Sequence, residues 1–292
     1  MALVPAWVLC ALAVSFLGAA QVQANQIFQM QGMALVFVRS VFACILLAPV
    51  AAWLPWPHVP QFYVFALGVS LLNLVGDVTV FKAAGRFGGR LTSVFLPLKI
   101  VGAFVVWLAI DPAYTHALLA EPFKLAGVVA CLLGCCAGLL FMRRNDASWA
   151  ALLFLLPAGA AYTLADVGSK ITMQGHDLLA AAAAMTCLSM GLHCMLSFLA
   201  LKTTGHSPKA LLADRAHRKA GLFLGIMTTG LIAFLFAGFA TAENPAYVTA
   251  VSLLTVAWLT LYNRLRGHDD HASPLAIGVL VAAAVGLVLV TA

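Results

Sequence analysis

The residues able to do chemistry are few, and they lie where charge is costly. Asn73 and Asp77 stand four apart, so on a helix they share a face, and Lys99 in the next apolar segment is the expected counter-ion of Asp77. A carboxylate and an ammonium inside a membrane can hold the two ends of a polar solute, and the carboxylate can take up and release a proton. The alternative is a buried ion pair that only braces two helices. Tyr162, Asp166 and Lys170, at i, i+4 and i+8, form a second such face. Asp166 can ligate an ammonium group or carry a proton, or it can pair with Lys170 along the helix. Lys170, close to the segment end, is expected to reach water. Gln21 and Asn25 share a face in the first apolar segment, with Gln23 across from it, and such amides either bind a solute or cap a helix.

Other groups carry weaker signals. His268-Asp269-Asp270-His271 has the composition of a metal or acid/base site, but adjacent loop residues point in different directions, so a solvated loop is expected. The seven cysteines fall in apolar segments without a CxxC pair, and Cys131, Cys135 and Cys136 read as small buried hydrophobes rather than a soft-metal cluster. Trp107 and Trp258 can stack on a ligand, although interfacial anchoring is the commoner use of such aromatics. Thr228, Thr229 and His193 are expected to satisfy neighbouring backbone or to pack. There is no phosphate loop, GxSxG or HExxH, so neither a nucleotide-driven pump nor a conventional hydrolase is indicated, and no metal or cofactor is expected.

The elements that position these groups follow from composition. Of 292 residues, 63% are hydrophobic and only 9% charged, with a mean hydropathy of +1.02. So few charges could not cover the surface of a soluble protein this long, whereas a bilayer asks for an apolar one. The net charge of +6 resides in short loops rather than in basic runs interleaved with aromatics, so no nucleic-acid partner is expected. About 20 apolar residues cross the hydrocarbon core as a helix. Ten such spans fit, near 6–24, 32–54, 61–82, 91–110, 123–142, 148–170, 178–201, 220–240, 246–263 and 274–291. The first lacks a basic leader and reads as a retained span. The connections are short, the longest lying near 202–219, and none holds a soluble domain.

Met30-Gln31-Gly32 recurs as Met173-Gln174-Gly175, 143 residues on, and each copy follows one span and precedes the next. Divided at Arg143-Arg144-Asn145-Asp146, the chain gives halves 1–145 and 146–292 of five spans each. An odd number of spans inverts the second half relative to the first, as in many secondary transporters. Twelve of the 16 Lys and Arg lie in loops after odd-numbered spans and two in loops after even-numbered ones. That bias predicts cytoplasmic odd loops and external termini. Arg39, inside the second span, is then expected to snorkel to the cytoplasmic face.

With these features the chain resembles the drug/metabolite transporter superfamily, in its ten-helix EamA-like branch. The resemblance is carried by Val38-Arg39-Ser40 before an apolar run ending Leu46-Leu47-Ala48-Pro49, by Leu96-Pro97 with Trp107, by Gly127 and Gly134, and by Ser-Pro-Leu-Ala-Ile-Gly at 273–278 followed by Gly286. The family's glutamates before helices 5 and 10 are answered here by Glu121 and by Asp269 or Asp270, and its usual cytoplasmic termini are opposite to the charge bias. The resemblance implies an all-α membrane fold of two inverted five-helix bundles around a central cavity. Helices 1, 3, 4, 6, 8 and 9 would line it, and helices 5 and 10 would pack together at the back. It also implies a function: alternating-access secondary transport of a small polar or amphipathic metabolite, amino-acid-like since both charge signs are present, across a bacterial inner membrane. Gln21, Asn25, Asn73, Asp77, Lys99, Tyr162 and Asp166 are the expected substrate-binding residues, with protons as the expected coupling ion and a monomer or homodimer as the unit. The chain is not expected to be an enzyme. The rivals are a membrane-embedded transferase using residues 268–271 and a non-transporting sensor or assembly subunit.

Overall fold

The computed structural model describes residues 4–28, 32–87, 95–141, 149–267 and 273–291. Met30, Gln31, Gly88, Gly89, Arg90, the proposed boundary at 143–146 and the 268–271 cluster lie outside them, as do the side chains of Asn25 and Arg86. Every element is a helix, with no strand among the described residues: α1 (Ala6–Phe28), α2 (Gly32–Trp53), α3 (Pro60–Phe87), α4 (Phe95–Ile110), α5 (Pro112–Ala120), α6 (Pro122–Phe141), α7 (Trp149–Met173), α8 (Leu178–Thr203), α9 (Pro208–Ala213), α10 (Arg215–Thr241), α11 (Pro245–Ser252), α12 (Thr255–Leu265) and α13 (Pro274–Thr291). In lipid a helix satisfies every backbone N–H and C=O within its own segment, which is why so apolar a chain takes this form. Among the described residues eight spans are long and apolar enough to cross a bilayer, with α11 and α12 together making one, and the bent pair α4–α5 brings the total to nine. α7, which carries Asp166 and Lys170, is 25 residues long and falls outside that set. The protein is an all-α, multi-pass membrane protein.

Capping explains the breaks. Asp111 closes the turn after α4, its carboxylate accepting from the Tyr114 N–H, and Pro112 opens α5 at an angle of 103° to α4. The sequence reading treats 111–122 as a connection and the region 202–219 as a loop, yet each holds a short helix, α5 and α9. Ser207 with Pro208, and Asn244 with Pro245, start α9 and α11 by the same side-chain cap and N1 proline. Asp214 caps α10, accepting from the N–H groups of His217 and Ala216, and those bonds hold its carboxyl below the usual carboxylate range. A lowered folded pKa means that the cap contributes stability at neutral pH and loses it as pH falls through that pKa. Asp214→Ala should therefore speed amide exchange in the first turn of α10 at pH 7, with the difference from wild type vanishing once acid has protonated the cap.

Helix packing follows the small residues. α6 lies on α13: a Cβ on Gly134 would come 3.0 Å from Ala283 Cβ, and one on Gly138 3.0 Å from the Ala276 carbonyl oxygen. Without a hydrophobic drive between helices in lipid, such close backbone approach supplies the van der Waals contact that holds them. The back-to-back pairing expected of helices 5 and 10 is thus present, and Cys131 packs into it with its Sγ against Gly286. α1 packs on α10, α3 on α7, and α2 on α8. Between them lies a core of Phe62, Trp107, Phe236, Phe239 and Tyr247, all 2% exposed or less.

Candidate functional site

The polar residues converge where α1, α2, α3, α4, α7, α8 and α10 meet. Gln21, Arg39, Asn73, Asp77, Lys99, Tyr162, Ser189, His193 and Thr228, floored by Leu231, Ile232, Leu235 and Phe236, line a cavity of about 180 Å³. At roughly 30 Å³ per water that is room for about six waters, or for a solute of comparable size.

Two ion pairs organise it, and their partners differ from the expected ones. Asp77 is paired with Arg39, not Lys99: Arg39 Nη2 lies 2.5 Å from Asp77 Oδ2. The other carboxylate oxygen, Oδ1, accepts from the Tyr162 hydroxyl at 2.5 Å. Arg39 is consequently 7% exposed and does not snorkel to the cytoplasmic face. A guanidinium inside the bundle needs an anion more than it needs length to reach water, and α2 packs near enough to α3 to offer one. Lys99 turns to Asp166, with Nζ 3.0 Å from Oδ2, and Thr249 donates to the same oxygen at 2.7 Å. The second pair therefore ties α4 to α7 and α11. It also displaces the helix-internal pair proposed between Asp166 and Lys170.

Lys170 does not reach water. It is 6% exposed, its Nζ donating to the carbonyls of Ala242 at 2.5 Å and Phe239 at 3.4 Å, so that a cation caps the C-terminal end of α10. It also sits 5.1 Å above the ring of Trp107, which is 1% exposed and so not an interfacial anchor. Trp258 donates to Ser15 Oγ at 3.0 Å, away from the cavity.

Five of the seven expected binding residues line the one cavity: Gln21, Asn73, Asp77, Lys99 and Tyr162. Asp166 stands behind Lys99, and Asn25 lies outside the described side chains. Gln21 donates to Thr228 Oγ1 at 3.2 Å, which brings Thr228 into the wall rather than onto backbone. His193 Nε2 lies 3.0 Å from the Ser70 carbonyl oxygen, while His193 Nδ1 and Arg39 Nε are buried without a partner among the described residues. Arg39, Ser189, His193 and Thr228 were missed as site residues. Only Arg39 carried a signal, a charge within an apolar span.

Gly76 decides where Tyr162 goes. A Cβ there would fall 2.7 Å from the Tyr162 ring, so only a glycine lets that ring lie on α3 and reach Asp77. Lys99 Nζ is 5.3 Å from the same ring's centroid. Gly76→Ala should displace the ring and cost about 1–3 kcal/mol as overpacking does. In that background Tyr162→Phe should cost little more, because the hydroxyl bond is already lost. Chemical unfolding of the two single variants and the double variant reads the coupling.

No family model matches the sequence, and neither does any curated protein. The fold is similar to that of a protein solved by crystallography, with a TM-score of 0.68 at 14% identity over 99% of each chain.

Proposed function

We propose that the protein is a secondary transporter of a small polar or amphipathic metabolite, amino-acid-like in carrying both charges, that works by alternating access. The observation that carries this reading is the polar cavity of about 180 Å³ inside an otherwise apolar helical bundle, walled by carboxylate, guanidinium, ammonium, phenol, amide and imidazole groups. Lone charges there would be costly, and a site that offers both signs is matched to a solute that bears both. The cavity walls come from both parts of the chain, which is what rocking one part against the other requires.

The reading includes ten spans, with α7 counted, in two inverted halves. Its support is that the packing partners interchange. The first helix of one half lies on the third of the other, α1 on α10 and α7 on α3, while α2 faces α8 and α6 faces α13. The repeated tripeptide ends each time in a glycine with positive φ, Gly32 at 57° and Gly175 at 75°, a left-handed turn between the first and second helices of each half. Membership of the drug/metabolite transporter superfamily, a bacterial inner-membrane location with external termini, and proton coupling through Asp77 or Asp166 are parts of the same proposal.

The test is counterflow of labelled amino acids in proteoliposomes, with and without a pH gradient, for wild type, Asp77→Asn and Asp166→Asn. The expected result is saturable uptake driven by the gradient, abolished in one of the variants. Binding without flux for every solute would favour a sensor or assembly subunit. Coupling that survives neutralisation of both carboxylates would remove protons from the mechanism.

A further inference from the structure

A second concavity, which shares no lining residue with the central cavity, lies against α1, α10 and α12. It is a groove of about 540 Å³, bounded by Ala20 and Ala24 of α1, Trp258, Tyr262 and Leu265 of α12, and Phe223 of α10. The alanines of α1 leave the depth, and the large residues of α12 form the far wall. Gln23 apart, the groove presents hydrocarbon and aromatic rings. The α1 residues that line it run from Phe16 to Phe28, about 18 Å of helix at 1.5 Å per residue, close to one leaflet's share of a hydrocarbon core about 30 Å thick.

Its ends differ. Toward Tyr262 and Leu265 the exposed Arg264 and Arg266 stand at the C-terminus of α12, and the Arg266 guanidinium lies 5.0 Å over the Tyr262 ring that lines the groove. Lys219, exposed and one turn before Phe223 on the same face of α10, joins them. At the other end, near Phe16, the lining is apolar.

We propose that this groove seats one acyl chain of an anionic phospholipid, whose phosphate is held at the rim by Arg264, Arg266 and Lys219. Length, apolarity and the position of the charge agree on this occupant. An acyl chain fills one leaflet's depth, and its headgroup emerges where the bases stand. The site is separate from the central cavity and holds whether or not that cavity moves a solute.

Trp258 reports on the groove directly. The full chain would be reconstituted in phosphatidylcholine vesicles containing a minor fraction of lipid with brominated acyl chains, as phosphatidylglycerol in one series and phosphatidylcholine in the other. The quenching that disappears in Trp258→Phe measures occupancy beside that residue. The expected result is a preference for brominated phosphatidylglycerol of about tenfold or more in half-saturating mole fraction, given two to three basic contacts. The preference should vanish in Lys219→Gln/Arg264→Gln/Arg266→Gln, and quenching by both lipids should weaken when Ala20→Leu fills the groove. Equal quenching by the two lipids would overturn the proposal in favour of ordinary annular lipid. Full quenching persisting in Trp258→Phe, or a cross-linked dimer that shields Trp258 from both lipids, would overturn it as well.

Discussion

Lys99→Met should be among the most damaging single changes in the protein, because it strands a carboxylate. Asp166 is 2% exposed and, with Lys99 gone, keeps among the described residues only the Thr249 hydroxyl as a charge-stabilising contact. Removing one partner of a buried ion pair typically costs 3–5 kcal/mol, more than the pair itself contributes, since the remaining charge stays buried and uncompensated. The same deletion unties α4 from α7 and α11. Denaturant unfolding in detergent should show a loss of about 3 kcal/mol or more, and Lys99→Met/Asp166→Asn should recover most of it. If the double variant were no more stable than Lys99→Met, the damage would lie in packing around the lysine stem rather than in the stranded charge. Thr249→Val, which leaves the pair intact, should cost only about 1–2 kcal/mol.

Asp77→Ala should be comparably severe by the same logic with the sign reversed. It leaves the Arg39 guanidinium buried against α3 and removes the bond that the Tyr162 hydroxyl donates to Asp77. The side chain of Asp77 is 20% exposed, toward the cavity, so solvent relieves part of the cost, and about 2–4 kcal/mol is the expected range. Arg39→Met/Asp77→Leu, which replaces both charges by apolar groups, should return stability close to wild type. Solute binding and counterflow should stay abolished in that double variant. Recovery of stability together with transport would show the pair to be a brace and move the solute site toward Lys99 and His193. Recovery of neither would show that the cavity cannot tolerate hydrocarbon at these positions.

Much of this architecture was legible in local sequence. Spans of about 20 apolar residues, i,i+4 faces such as Asn73 with Asp77, and glycine spacings such as Gly127 with Gly134 depend only on helix geometry, and the structure has helices at all of them. The short helices α5 and α9 were not legible as separate elements, because each is a single capped excursion started by a proline and shorter than a span.

The sequence by itself determined that this is a helical membrane protein and that its few interior charges, amides and hydroxyls would gather. Burying charge in an apolar medium leaves them no other favourable place. Only the tertiary structure decided which charge meets which. Arg39 and Asp77 are 38 residues apart and Lys99 and Asp166 are 67, so their pairing is set by how α2 registers on α3 and α4 on α7. That register depends on contacts such as Gly76 under Tyr162. It also decided the fate of Lys170, which lies near a helix end as a lysine bound for water would, but faces the open carbonyls of α10 instead. Period and composition are local properties of a chain, whereas the partner of a buried charge is a property of two surfaces brought together.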